Sequence, residues 1–310
     1  MERLVALVAG ATRGAGRGIS LALGERGATV YCVGRSTRER LVSERPETIE
    51  ESAELVTARG GKGIAVQADL TRPSEAESAI DIVREREGRL DVLVNDVWGG
   101  DDLTEFGKPF WELDPDLGKM MMERAIFSHI VTARAAAPLM IASGGRLIVE
   151  ITDGNTAWYR GNLYYDLVKS SVIRLALAYA RELRNKKIAA VAVTPGFLRS
   201  EAMLERMGVT EETYREAEDV HFAASSETPL YVGRAVAALA FDADVMKKSG
   251  RVYASWDLAD EYGFTDVDGS QPHWGRYFEK TFGYPLKTCD EKFYEYCFGG
   301  FVDTIFGDWP

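Results

Sequence analysis

Only three cysteines and three histidines occur in 310 residues. Cys32, Cys289 and Cys297 stand at irregular spacing, which excludes a disulfide framework and a zinc motif. The histidines show no ligand spacing, so no catalytic metal is expected. Basic charge is also short: 37 Lys and Arg against 48 Asp and Glu leave a net charge of -11. That balance argues against a nucleic-acid partner or an anionic membrane surface, both of which attract basic proteins. Long apolar runs are missing as well. The stretch from Met1 to Gly10 is too short and too soon broken for a signal peptide or a span, and no later stretch reaches membrane length without charges. The expectation is a cytoplasmic protein with no membrane span, acting on a small molecule.

What is present is a regular alternation of apolar strand-like runs and amphipathic helical stretches. Strands are predicted at Leu4–Ala9, Thr29–Val33, Gly63–Ala68, Leu90–Val94, Arg146–Ile151, Ile188–Thr194 and Arg251–Ala254. Helices are predicted after the first strand to about Arg26, over Thr48–Arg59, through most of Asp116–Ala142, over Asn162–Arg184 and over Pro229–Ala240. A further helix opens at Ser74-Glu75-Ala76-Glu77, which reads as a capping box with Ser74 at the N-cap. Parallel strands need crossover connections, so the pattern implies a doubly wound, Rossmann-type α/β fold. A parallel sheet of about seven strands with helices on both faces is expected. The fold is placed at residues 1–268, and the aromatic-rich extension 269–310, without a clear period, is expected to pack on the domain or a neighbouring subunit. Arg38–Pro46 reads as a solvated, charged loop.

Tyr165 and Lys169 lie four residues apart on a predicted helix and share one face. A free phenol titrates near pH ~10. A cation beside it favours the phenolate and lowers that value, making the phenol a better proton donor and acceptor for an alcohol or a carbonyl.

The first strand runs into Ala9-Gly10-Ala11-Thr12-Arg13-Gly14-Ala15-Gly16-Arg17-Gly18. Glycines allow a pyrophosphate to approach the backbone, and the helix that follows turns its N–H groups towards the anion. Strand, glycine turn and helix in that order point to a dinucleotide site. The second strand ends in Val33-Gly34-Arg35-Ser36, with no acid to accept from a ribose 2′-hydroxyl. Arg35 and Arg13 together suit a 2′-phosphate, so NADPH is preferred over NADH.

Taken together, these residues resemble the short-chain dehydrogenase/reductase (SDR) family from the first strand to about residue 260. Gly10, Gly14 and Gly16 look like the family's phosphate turn. Asp69-Leu70 looks like the pair that lines the adenine, and Asn95 like the asparagine that ends the fourth strand, although Asp96-Val97-Trp98-Gly99 departs from the usual pattern. Thr194-Pro195-Gly196-Phe197-Leu198-Arg199-Ser200 resembles the Pro-Gly turn at the nicotinamide carboxamide. The resemblance implies an NADPH-dependent oxidoreductase in which Tyr165 protonates the carbonyl and Lys169 holds the nicotinamide ribose. It further implies cofactor contacts from Gly10, Thr12, Arg13, Gly14, Gly16, Arg35, Ser36, Asp69, Leu70, Asn95, Val97, Pro195, Gly196 and Leu198. A homodimer or homotetramer is the usual assembly. With its C-terminal extension the chain resembles a divergent subgroup.

Two departures stand out. The family's catalytic serine falls on Thr152, thirteen residues before Tyr165, which keeps a hydroxyl but adds a β-branch. Its relay asparagine falls on Ala125, which cannot hold a water through its side chain; Asp153 or Asn155 offers another route. Trp98, Trp158, Tyr164 and Phe197, with Trp111, Tyr159, Met203 and Met207, come from loops above the strand ends and suggest a medium-sized apolar or aromatic substrate. The alternatives are reduction of an imine or activated double bond, or a catalytically weak NADPH-binding sensor or scaffold.

Overall fold

The computed structural model of the chain describes residues 3–155, 159–283 and 285–286. Seven strands, β1 Val5–Ala9, β2 Thr29–Gly34, β3 Lys62–Gln67, β4 Val92–Asn95, β5 Leu147–Ile151, β6 Ala189–Thr194 and β7 Val252–Ala254, form one parallel sheet. Their order is β3-β2-β1-β4-β5-β6-β7. Both faces of β1, β2, β4, β5 and β6 are buried, which is why these strands read as mostly apolar runs rather than alternating ones. The alternation reappears in the packing. Ala6 and Val8 point into one core and Leu7 and Ala9 into the other.

Among the described residues, nine α-helices lie between the strands, α1 Gly14–Glu25, α2 Ile49–Ala58, α3 Pro73–Glu87, α4 Pro115–Met122, α5 Ser128–Ser143, α6 Leu163–Leu183, α7 Glu201–Arg206, α8 Val220–Ser225 and α9 Pro229–Phe241, and two follow β7, α10 Ser255–Tyr262 and α11 Trp274–Phe282. Residues of α1, α2 and α9 fill the first core with Ile19, Leu23, Val56 and Val236. Those of α3, α5 and α6 fill the second with Ile80, Val83, Leu139 and Leu183. The sheet order reverses between β1 and β4, and open α/β sheets bind ligands in the crevice outside the strand ends at such a point. The register aligns Ala9 with Asn95 and Asn95 with Glu150, so the segments leaving β1, β4 and β5 meet at one edge.

A π turn at Glu123–Phe127 joins α4 and α5 into one continuous helix. Pro115–Ser143 is long and apolar enough to cross a membrane by length and composition, but 50% of its most apolar window is buried in the fold. It packs on α3 and α6.

Two expectations need correction. Ser74 is not an N-cap: α3 starts at Pro73, its N-cap Arg72 makes no side-chain capping bond, and Ser74 lies within the first turn. Proline has no N–H to lose and a φ already suited to the first helical position, so it sets the start. The Glu75 carboxylate reaches back to the Asp69 N–H instead, at 2.6 Å. The described part of the extension, up to residue 286, does contain a period, and residues 287–310 lie outside the described residues. Trp274, Tyr277, Phe278 and Phe282 follow helical spacing in α11, which packs Trp274, Phe278 and Phe282 on Trp256 and Ala254.

Candidate active site

The glycine turn is built against the end of β4. Gly10 has φ +89°, and a β-carbon there would strike the Asp96 carbonyl; at Gly16 it would strike the Gly10 carbonyl. Gly10 and Ala11 both donate their N–H to the Val33 carbonyl, at 2.9 and 3.0 Å, tying the turn to β2. The first N–H groups of α1 have no partner within the helix. Gly14 N–H donates to the Glu201 carboxylate at 2.8 Å, a contact that spans 187 residues. Gly16 N–H bonds the Asp96 carboxyl, which burial pushes up to about 7 against the opposing charges of Lys169 and His129.

At the second strand's end the two predicted arginines differ. Arg13 donates to Ser43 Oγ at 3.3 Å and pairs with Glu47 at 3.4 Å. Arg35 makes no ion pair among the described residues. Its carbonyl accepts from Gln67, and its charge reaches Asp69. Ser36 is buried, its hydroxyl accepting from Val42 N–H at 3.3 Å. Asp69 Oδ1 accepts from Thr71 N–H and Oγ1 at 3.1 and 2.7 Å. Leu70 is buried beside it. The Thr12 carbonyl accepts from Arg17 at 3.0 Å.

Tyr165 and Lys169 sit on α6, whose start is fixed by Asn162: its side chain accepts the Tyr165 N–H at 3.1 Å. The Tyr165 hydroxyl donates to Asp153 Oδ2 at 2.8 Å. Trp98 stands edge-on to the Tyr165 ring at 5.3 Å and Phe106 lies at 5.7 Å. Lys169 Nζ lies 4.1 Å from the Trp98 ring centroid and 5.6 Å from that of Tyr165. Burial pushes the Lys169 amine down, while Asp153 and Asp96 pull it up. The phenol is moved opposite to expectation. Burial, then the Asp153 charge and hydrogen bond, push Tyr165 well above the usual phenol range, and the lowering that opposes them comes from Arg160.

Thr152 is directed elsewhere. Its hydroxyl donates to the Lys169 carbonyl at 2.8 Å, tying the end of β5 to α6. The adjacent Asp153 takes the phenol instead. Arg160 holds that loop, donating to the Asp153 carbonyl at 2.7 Å and to Asp166 at 2.8 Å. Ala125 lies in the π turn, 2% exposed, among Leu103, Met121, Val168, Tyr164 and Tyr165. Tyr164, expected to line the pocket, stacks on Gly118 of α4. Trp158 lies outside the described residues.

Beneath the site is a buried polar cluster that the sequence reading passed over. Asn95 Nδ2 donates to Glu150 at 2.7 Å, and His129 Nδ1 lies 2.6 Å from the other Glu150 oxygen. His129 Nε2 lies 3.0 Å from the Val97 carbonyl, so the ring bridges β5 and the segment after β4. The signal was there: Glu150 is the one charged residue in the otherwise apolar β5. Asn95 Oδ1 is buried with no partner.

The Pro195-Gly196 turn is pinned from below. Gly196 N–H and Ser255 Oγ both donate to Glu227 Oε2, at 3.0 and 2.7 Å, and Leu198 bridges to Glu227 through the backbone. Burial pushes Glu227 up to about 8. Phe197 packs between Trp274 and Phe222, with Met203 and Met207 close by.

The geometry fits a dinucleotide. The turn has no space for side chains at Gly10 and Gly16, α1 presents N–H groups to an anion, and Asn95 keeps an unpartnered buried oxygen. Comparisons agree with that architecture. The sequence model of the family described as Enoyl-(Acyl carrier protein) reductase matches residues 10–248. The chain is 35% identical over 275 residues to human Dehydrogenase/reductase SDR family member 1, covering 87% of this chain and 85% of that one. It is 32% identical over 208 residues to the 7alpha-hydroxysteroid dehydrogenase of Clostridium sardiniense, covering 67% and 75%. A short chain dehydrogenase structure from Mycobacterium thermoresistibile superposes with a TM-score of 0.72 at 21% identity, covering 88% and 91%.

Proposed function

The chain belongs to the short-chain dehydrogenase/reductase family of NAD(P)(H)-using oxidoreductases, and on that premise we propose that it is an NADPH-dependent reductase of a carbonyl on a medium-sized apolar or aromatic compound. The observation that carries the reading is the Tyr165–Lys169 pair on α6, linked to the turn that starts α1 through Asp96, whose carboxyl takes the Gly16 N–H and interacts with the Lys169 charge. Bound at that turn, the cofactor supplies hydride. Tyr165 carries the proton for a developing alkoxide; burial and Asp153 hold its pKa above the usual phenol range and weaken it as an acid, so a bound carbonyl must take the hydroxyl from Asp153 before transfer. Asp153, in direct contact with the phenol, is the group through which Tyr165 regains a proton without an asparagine at position 125. Thr152 supports the site by fixing the Lys169 backbone.

Arg35, free of ion pairs among the described residues, supports NADPH over NADH, with Arg13 as second cation once Glu47 gives way. Trp98 and Phe106 flank the phenol and favour an apolar carbonyl compound, in keeping with a steroid dehydrogenase among the relatives. Exposed Phe127, Ile130 and Leu167 on the helices around α5 and α6 suit a homodimer or homotetramer contact.

A panel of ketones and imines with NADPH tests the reading. Turnover with at least one carbonyl is expected, and Tyr165→Phe should lose roughly 10²–10⁴-fold while still binding NADPH. Binding of NADPH with no turnover on the panel would favour a sensor or scaffold.

A further inference from the structure

We propose that Glu201 is a latch on the anion site at the start of α1, and that a dinucleotide binds by displacing it together with α7. The proposal rests on the dinucleotide reading of the glycine turn and names how that site is regulated. Gly14 N–H is the first helical donor of α1, where an incoming phosphate would be bound. It donates to Glu201 Oε2 at 2.8 Å, and α1 has no capping side chain of its own, since its N-cap Arg13 makes no capping bond. A carboxylate and a pyrophosphate cannot share that donor, because like charges in contact repel.

The rest of α7 is built to let go. It has no buried residue, and Ser200, its N-cap, lies beside the glycine turn. Its other tie across the turn is the ion pair of Glu205 with Arg45, on the loop that carries Ser43 towards Arg13. Side-chain exposures of 71% for Glu205 and 28% for Arg45 make this a weak surface link. The other end is firm: Gly196 N–H and Arg199 N–H are both held by Glu227. The segment 195–206 is therefore anchored at the Pro-Gly turn and latched at Glu201. Elements with little buried surface open at low cost. Met203 and Leu204 of α7 pack, with Phe197, against Tyr214, Ala217 and Phe222, so release of Glu201 also moves a wall of the substrate side.

Two measurements test the latch: NADPH and NADH titrations followed by nucleotide fluorescence, and amide hydrogen exchange of 197–207, on wild type, Glu201→Gln and Glu205→Gln. Glu201→Gln should bind NADPH at least about fivefold more tightly, because the binding-competent fraction rises. Its 197–207 segment should exchange, without nucleotide, as fast as that of the wild type with NADPH. Glu205→Gln should shift both in the same direction by less. Equal or weaker NADPH binding by Glu201→Gln would show that Glu201 is only a structural cap. If neither nucleotide binds to any of the three proteins, the dinucleotide reading fails, and exchange alone decides the latch. Faster exchange of 197–207 in Glu201→Gln then retains it on an anion site, and unchanged exchange overturns it.

Discussion

The Tyr165 hydroxyl donates to the Asp153 carboxylate across 2.8 Å, with the half-buried phenol ring between Trp98 and Phe106. A carboxylate at that distance stabilises the neutral phenol and opposes the phenolate, in the same direction as burial. Lys169 does not face the phenol oxygen alone; its ammonium lies over the Trp98 ring. The proton on Tyr165 is therefore held by a carboxylate that came with the loop after β5, and Arg160 fixes that loop in place.

Replacing Asp153 by Asn removes the charge and keeps the shape. Because the carboxylate raises the Tyr165 pKa, its removal should lower it. In the direction of alcohol oxidation, where Tyr165 must accept a proton, the pH at which kcat/KM rises should move to lower values in Asp153→Asn. The pH dependence of oxidation for the two proteins checks this. An unchanged inflection would mean that Asp153 does not set the phenol's titration.

Arg35→Ala should separate the two cofactors. A guanidinium bonded to a 2′-phosphate contributes roughly 1.5–3 kcal/mol, about a tenfold to hundredfold change in affinity. The dissociation constant for NADPH should rise by at least about tenfold, with that for NADH nearly unchanged. Fluorescence titration with both nucleotides measures it. Equal losses for the two would place Arg35 away from the 2′-phosphate.

The fold was legible because its strands are buried on both faces and its helices begin at local signals such as Asn162 and Thr48. Tyr165, Lys169 and the glycine turn were legible because each motif is short in sequence. The residues that modify them were not, because their partners are distant: Glu201 reaches Gly14, and Glu227 reaches Gly196 and Ser255. The direction of the Tyr165 shift was misread for a related reason. Periodicity places Lys169 on the same helix face but says nothing of a loop carboxylate arriving from β5. Proline at position 73 displaced an apparent capping box, and the π turn around Ala125 leaves no mark on an apolar period.

Ala125→Asn tests whether the missing amide limits the enzyme. Ala125 is 2% exposed and packed among Leu103, Met121 and Val168, so an amide there overfills an apolar cluster. Overpacking costs about 1–3 kcal/mol, and a buried polar group without a partner adds to it. The melting temperature should fall by several degrees, roughly 2–4 °C for each kcal/mol in a large domain, with no gain in turnover. A faster enzyme of unchanged stability would show that the π turn has space for the amide and that Asp153 does not replace it.

Glu227→Gln should change how stability depends on pH. The Glu227 carboxyl is pushed up to about 8 in the fold from an ordinary value of 4.5, by burial above all. Below pH 4.5 the folded and unfolded chains both hold the proton, and the group favours neither. Between 4.5 and 8 the unfolded chain has lost it and the folded chain has not, so stability declines as pH rises, by at most about 1.4 kcal/mol per pH unit. Above 8 the decline is complete. Glutamine carries no such proton and can still accept from Gly196 N–H, so its stability lacks this slope. Asp96, pushed up to about 7, contributes a similar decline to both proteins and cancels in the difference. The melting temperature of Glu227→Gln minus that of the wild type should therefore increase steadily from pH 5 to pH 8. A difference that stays flat over that interval would mean that Glu227 is ionised beneath the Pro-Gly turn and that its bonds from Gly196 and Ser255 outweigh its burial.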